Sequence, residues 1–342
     1  MIGLDVSDQS VKIVQLTNDA LRQLVASCWQ AMPAGLVEHG VIQQEAAVTK
    51  VLTEAFRLCQ LGRVRADAVV ASIPETQSFL RVIELPAMAV EEMDEAVRWE
   101  VAQHIPFGLD NVYIDWQAIG QGHTAATGRQ EVLVGAAQRK VIDPLVRVLT
   151  ALKVDVAALE LESQAITRAL VSAELRSHQG LVIVDLGGSA TNVVIHDHGT
   201  MRFSASLQRG TSQLSRLLSA EDAQRLRGPR SEVLSAEVAQ RVAERMRSGQ
   251  EELVMEIHGI VEFYNGIDAQ HRVREILLTG GGSNLPGLDR IFLRFFDNVH
   301  VQRGDPWANI IPVAREKKPP LPLRESVHFA TSLGLALRSV DR

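Results

Sequence analysis

Apolar positions along this chain change their period several times, and each change marks an element. Ile2-Gly3-Leu4-Asp5-Val6 and Val11-Lys12-Ile13-Val14-Gln15-Leu16 are short apolar stretches around Ser7-Asp8-Gln9-Ser10, a pattern that predicts a β-hairpin. Across residues 44–60, Val48, Val51, Leu52, Ala55, Phe56 and Cys59 recur at helical spacing. Ala68 to Ile73 predicts a strand, Pro74-Glu75-Thr76-Gln77 a turn, and Phe79 to Leu85 a second strand ended by Pro86. A helix is expected from Val90 to His104, with Met93, Val97, Val101 and His104 on one face and Pro106 as its stop. Residues 112–119 and 131–137 read as strands joined by the loop Gly120 to Gly128. Asp143-Pro144 then predicts a helix start, running through Leu152.

The second half opens at a composition break, Ser177-His178-Gln179-Gly180. Leu181-Val182-Ile183-Val184-Asp185-Leu186 is the strongest strand signal in the chain, followed by Gly187-Gly188-Ser189-Ala190-Thr191-Asn192 and a strand Val193-Val194-Ile195. Residues 211–265 read as polar, charged helix. A buried strand Glu275 to Thr279 runs into Gly280-Gly281-Gly282; residues 317–322 read as a surface loop and Ser326 to Leu337 as a closing helix. Two strand–Asp–turn–strand units, at Ile2 and at Leu181, suggest a weak internal repeat and two α/β lobes related by duplication.

Composition narrows the function classes. A length of 342 residues favours more than one lobe, and 46% hydrophobic with 22% charged residues suits a soluble protein with a sizeable core. The net charge of −6 and the 4% aromatic content argue against nucleic acid as a partner. Cys28 and Cys59 form no CxxC pair, so they carry neither a metal nor a disulfide signal. No run of about 18 apolar residues exists for a membrane span. The first residues lack a basic stretch and a cleavage site, so the expectation is a cytoplasmic protein.

The two hairpins share one chemical logic. Each strand delivers a carboxylate, Asp5 or Asp185, to a tight turn of small residues, Ser7 to Ser10 or Gly187 to Ala190. Backbone N–H groups in such turns hold phosphate oxygens, and carboxylates beside them hold hydrated magnesium. Each turn alone is a weak signal. Gly280-Gly281-Gly282-Ser283 after a buried strand permits close approach of a flat ring or a ribose, but it is neither a Walker loop nor GxGxxG. Among other candidates, His104, Trp99 and Trp116 read as packing residues, with the tryptophans also able to line a peptide groove. Arg225, Arg227, Arg230, Arg241, Arg245 and Arg247 alternate with acids and read as solvated helix surface.

Taken in order, the three motifs resemble the phosphate 1, phosphate 2 and adenosine motifs of the actin/sugar kinase/heat-shock-70 superfamily. Further runs narrow the resemblance: Arg81-Val82-Ile83-Glu84-Leu85-Pro86-Ala87-Met88, Ala102-Gln103-His104-Ile105-Pro106-Phe107, Val112 to Gln117, Glu131 to Ala137 and Ala158 to Ala165 are similar to the PilM family of type IV pilus assembly proteins. The likeness extends from Gly3 to about Leu337. It implies an α/β, actin-like bilobed fold with a duplicated ribonuclease H-like core. Lobe one would take residues 1–86 and 145–179, with an inserted small subdomain over 87–144. Lobe two would take 180–212 and 274–342, around a helical subdomain at 213–273.

Carried onto this chain, the resemblance implies ATP and Mg²⁺ in the cleft. The first motif would contribute Gly3, Asp5, Ser7, Ser10 and Lys12; the second, Asp185, Gly187, Gly188, Ser189, Ala190, Thr191 and Gly210. The third would contribute Gly280, Gly281, Gly282, Asn284 and Leu285, with Asp5 and Asp185 towards the metal. Asp8 stands where a small residue is usual, and its charge is unfavourable there unless it turns away or meets a cation. Glu162 would face the cleft and orient water towards the γ-phosphate, or else make a structural bond to nearby backbone. Its helical neighbours are read as Ala158, Leu159, Ala165 and Ile166, an apolar face on which a carboxylate needs a partner. Turnover would be at most a slow ATPase. The implied partners are the N-terminal cytoplasmic peptide of a PilN-type inner-membrane protein and other pilus assembly components, with no direct membrane insertion. The protein would then be recruited to the inner membrane face by that partner. An FtsA-like filament protein and a small-molecule kinase are the alternatives, the first lacking its terminal membrane helix here and the second a clear catalytic Asp.

Overall fold

The computed structural model describes residues 1–19, 22–59, 68–105, 108–119, 128–175, 180–197, 199–231, 233–267, 272–310 and 319–338. Pro106, Phe107, most of the Gly120–Gly128 loop, residues 177–179 and Lys317-Lys318 lie outside them. In chain order the strands are β1 (Ile2–Val6), β2 (Ser10–Leu16), β3 (Leu24–Ala31), β4 (Val37–Glu38), β5 (Val41–Ile42), β6 (Val69–Ile73), β7 (Ser78–Pro86), β8 (Val112–Ile119), β9 (Arg129–Gln138), β10 (Val156–Leu161), β11 (Leu181–Leu186), β12 (Thr191–Asp197), β13 (Thr200–Leu207), β14 (Glu275–Thr279) and β15 (His300–Arg303). The helices are α1 (Glu45–Leu58), α2 (Val90–His104), α3 (Arg139–Ala151), α4 (Glu162–Leu170), α5 (Thr211–Ser215), α6 (Ala220–Arg225), α7 (Ala236–Ile267), α8 (Leu288–Phe295), α9 (Leu323–Ser326) and α10 (Ala330–Ala336).

One five-stranded sheet has the order β10-β6-β1-β2-β3. The larger sheet begins β15-β14-β11-β12-β13 and continues through β7-β9-β8. Its first five strands repeat the smaller sheet: β1 and β11 each lie between an antiparallel hairpin partner and a parallel strand. The duplication expected from the two hairpins is therefore present as topology. The join between β13 and β7 rests on one register pair, Phe203 with Arg81.

Both central strands are shielded on two faces, which is why they read as nearly continuous apolar runs. On β1, Ile2, Leu4 and Val6 pack with Val48, Leu52 and Ala55 of α1 and Val148 and Leu149 of α3. Gly3 and Asp5 face the other way. There α10 crosses so closely that a Cβ on Gly3 would stand 2.7 Å from the Ala336 amide nitrogen, so only glycine fits. On β11, Val182, Val184 and Leu186 pack against α7 and α8 through Met246, Leu253, Ile257, Leu288 and Phe292. Its other face, Leu181 and Ile183, meets Ile166, Ala169 and Leu170 of α4. Because Ala165 of the same helix packs with Val70 and Leu335, α4 is wedged between the two sheets. Helix α2 covers β7, β8 and β9 through Met93, Val97 and Val101.

Several local expectations change. Helix α3 begins at Arg139, leaving Pro144 buried inside it, and Asp143 accepts from Tyr113 Oη at 3.0 Å instead of capping. Residues 156–161 form β10, so Ala158 and Leu159 are strand residues and the helix starts at Glu162 itself. Strands β3 and β13 carry a weaker alternation and were not expected. His104 leaves the core face of α2 for solvent, where Nε2 meets Glu100 Oε1 at 3.1 Å. Trp99 is 70% exposed, and Trp116 donates Nε1–H to Asp94 at 2.6 Å. The closing helix is divided: α9, a 3-10 turn at Val327–Phe329, then α10.

Candidate functional site

The equivalent ends of β1 and β11 face each other across a cavity of about 720 Å³. Asp5, Ser7, Ser10 and Lys12 line it from the first hairpin; Asp185, Gly187, Gly188, Ser189 and Ala190 line it from the second. Glu162, at the first turn of the wedged α4, forms part of the lining, as do Gly280, Gly281 and Leu285. Gly280 has φ +75°, and a Cβ there would lie 2.6 Å from Leu186 O, so the third motif is pressed against the end of β11. In the second turn, Gly187 N–H bonds Ala190 O at 3.0 Å, and Thr211 and Ser212 N–H bond Gly187 O and Gly188 O at 3.0 and 2.9 Å.

Five expected site residues lie outside the lining. Gly3 is under α10, and the Thr191 hydroxyl donates to Arg209 O at 2.8 Å. Gly210 packs on Gly188, Gly282 on the Leu186 side chain, and Asn284 donates its amide to Arg324 O at 2.8 Å. They hold the turns from behind.

The cavity floor is a cluster of carboxylates around one cation. Lys12 Nζ donates to Asp5 Oδ2 at 2.8 Å, and the Ser72 hydroxyl donates to Asp5 Oδ1 at 3.0 Å. Burial pulls the Lys12 ammonium down, but Asp5, Asp185 and Glu162 outweigh it and leave its pKa raised. Burial, and then Asp5, push the Asp185 carboxyl up to about 6, against the pull of Lys12. Glu162 is held well above the ordinary range by burial, Asp5, Asp185 and Glu75. Its Oε2 accepts from Asn192 Nδ2 at 2.9 Å and from Glu75 N–H at 3.4 Å. Glu75 is buried and raised too, with Ser163 N–H at 3.3 Å and the Ser204 hydroxyl on its carboxyl. Three carboxylates, Asp5, Asp185 and Glu162, thus crowd around Lys12, while Arg216 and Arg227 line the same cavity. Among the described residues no group of three or more His, Cys, Asp or Glu is placed to hold a metal ion by itself.

The Asp8 carboxylate is turned away from the turn backbone. Its oxygens accept from His39 N–H at 2.9 Å and Gly40 N–H at 2.8 Å, fixing the β4–β5 hairpin to the first turn. The structure also brings in residues that sequence reasoning did not select. Gln9, Trp29, His39, Asn192 and His328 all line the cavity. Burial, and then Lys12 and Arg324, pull the His328 imidazole down to about 3, so it is neutral beside Gly281. Gln9 and Asn192 stand within the first and second motif segments, whereas Trp29, His39 and His328 stand in none and reach the cavity only through the fold.

The sequence and the fold both match known proteins. A family model described as type IV pilus assembly protein PilM matches residues 3–340. A solved structure of a PilM-PilN type IV pilus biogenesis complex is 24% identical, with TM-score 0.82, covering 100% of this chain and 98% of that one. The ethanolamine utilization protein EutJ from Carboxydothermus hydrogenoformans is 14% identical with TM-score 0.58, over 98% of this chain and 88% of that one. These likenesses bear on the fold, which is α/β, bilobed and actin-like.

Proposed function

Because this chain belongs to the PilM family of type IV pilus assembly proteins, we propose that it is an ATP-binding adaptor of pilus assembly. Its cleft takes ATP with Mg²⁺, and a separate surface takes the N-terminal peptide of a PilN-type inner-membrane protein. The observation that carries the nucleotide reading is the pair of facing turns, each at the end of a strand that delivers an aspartate, with Lys12 between them. A cavity of about 720 Å³ suits a nucleotide.

In this reading the turn backbones around Ser7–Ser10 and Gly187–Ala190 hold the phosphate chain. Lys12 neutralises it, and Gly280, Gly281 and Leu285 wall the adenosine. The donor set fits magnesium: Asp185 is a carboxyl whose charge is held back by burial and Asp5, and a divalent cation relieves that constraint. Both Asp5 oxygens already have partners, so Asp185 is the better direct or water-mediated ligand. When bound, the metal supplies charge neutralisation between phosphate oxygens. Glu162 lines the cleft with Oε2 held by Asn192 Nδ2 and Glu75 N–H, placed in this reading to orient a water towards the γ-phosphate in at most a slow ATPase. No helix among the described residues is long and apolar enough to cross a membrane. Recruitment to the inner membrane face through the partner peptide is consistent with that.

Calorimetric titration with ATP–Mg²⁺, with and without the PilN N-terminal peptide, tests both sites. Binding of both supports the adaptor. Peptide binding with no heat from ATP defeats the nucleotide reading, and ATP binding without peptide defeats the docking reading.

A further inference from the structure

Gln9 sits in the first turn yet belongs to none of the roles above. Its side chain leaves the smaller sheet and crosses to the larger one. Nε2 donates to the Ser212 hydroxyl, on the first turn of α5. The same amide lies over Gly188, where a Cβ would stand 2.6 Å from Gln9 Cδ. The side chain therefore fills the space between the two turns, where a phosphate chain would lie.

The backbone beneath it is anchored. Ser7 N–H bonds Ser10 O at 2.9 Å, Met32 N–H bonds Gln9 O at 2.8 Å, and Asp8 is tied to His39 and Gly40. The side chain extends from this anchored turn to Ser212. A parallel bridge stands beside it, with His39 Nδ1 and Gln208 Oε1 at 3.1 Å. Both bridges land on residues 208–212. That segment is bonded directly to the second turn, because Thr211 and Ser212 donate to Gly187 O and Gly188 O.

We infer that Gln9 is a displaceable latch across the cleft, and that it sets how far the phosphate chain counts in nucleotide selection. The inference rests on the nucleotide reading of the cleft. Unliganded protein holds the two turns together through Gln9 and Ser212. A ligand with two or three phosphates must expel the amide, and Ser212 is then released towards the phosphates. A ligand that does not reach between the turns leaves the latch closed. A latched population lowers apparent affinity by the fraction of molecules that are open, so removing the latch raises it.

Trp29 on β3 provides an internal gauge. Its ring lies against Gly228 after α6, where a Cβ would be 3.4 Å from Cη2. Separation of these surfaces wets the ring. The test compares wild type with Gln9→Ala, using ATP, ADP and AMP with Mg²⁺ in calorimetry, and Trp29 emission without ligand, identified by difference against Trp29→Phe. One partly buried amide–hydroxyl bond corresponds to a change of about five-fold. ATP and ADP should each bind Gln9→Ala about five-fold tighter and AMP equally, with Trp29 emission shifted to the red. ATP affinity that is unchanged or weaker overturns the latch. If wild type binds no ATP at all, the nucleotide reading fails, and Trp29 emission decides the latch alone: a red shift in Gln9→Ala keeps it and an unmoved spectrum removes it.

Discussion

Strands β1 and β11 occupy the same place in two sheets of the same order, yet they have diverged in what surrounds them. Two residues before the aspartate, β1 has Gly3 and β11 has Ile183. The first position is crossed at backbone distance by α10, while the second packs a full side chain against α4. The aspartates differ as well. Asp5 is satisfied by Lys12 and Ser72, whereas Asp185 opposes its partner Asn192 across the hairpin and has its pKa pushed up to about 6, by burial first and then by Asp5. Duplication preserved the delivery of a carboxylate, and tertiary packing gave the two carboxylates different partners.

The strongest way to break this comparison is Gly3→Ala. The added Cβ meets backbone of α10 instead of a movable side chain, so the loss should exceed the about 1–3 kcal/mol of ordinary overpacking. Urea melts, or soluble yield if no folded protein is recovered, check this. A mild effect would mean that α10 can lift from β1. Lys12→Met comes next. It strands the buried Asp5 with only Ser72, at a cost of about 4 kcal/mol. It should also move the pH response of Asp185 upward, since Lys12 is what holds that carboxyl down.

Asp185→Asn sharpens the comparison through pH. A folded-state value of about 6 lies above the ordinary 3.8, so the native state grips this proton more tightly than the unfolded chain does. The stability from the protonated form is full below the ordinary value and is lost as pH rises through about 6. The difference amounts to about 3 kcal/mol at most. Melts across that window should fall with pH in the wild type and flatten in Asp185→Asn, both without Mg²⁺. A wild-type profile already flat would place Asp185 in an ordinary solvated state. The smallest expected effect is Asp8→Ala, which removes the carboxylate holding the His39-Gly40 turn. It should cost about 1 kcal/mol, read by chemical denaturation, because the freed amides, exposed at His39 and part-buried at Gly40, turn to water.

The local parts of this fold were legible early because their causes are local. A strand that is apolar throughout except for one aspartate, followed by small turn residues, signals itself at both Asp5 and Asp185. The glycine run at Gly280 does the same. Errors arose where a neighbour from elsewhere decided the outcome. Ala158 and Leu159 read as helix until β6 supplied their parallel partner, and Asp143 read as a cap until Tyr113 reached it. Gly3, Thr191, Gly210, Gly282 and Asn284 sit in the right motifs, but they support the cleft from behind.

The amino-acid sequence by itself determined the two hairpins, the duplicated plan, the family and the two aspartates that line the cleft. Each of these rests on spacing and residue type within a few positions. Tertiary structure alone decided what those residues do there. It brought His39 to Asp8, Ser212 to Gln9 and Asn192 to Glu162, and it buried Asp5, Asp185 and Glu162 and crowded them around Lys12, which raises the Asp185 and Glu162 carboxyls. Hydrogen bonding and desolvation act over a few ångströms in space, and no spacing along the chain records which distant residue will fill them.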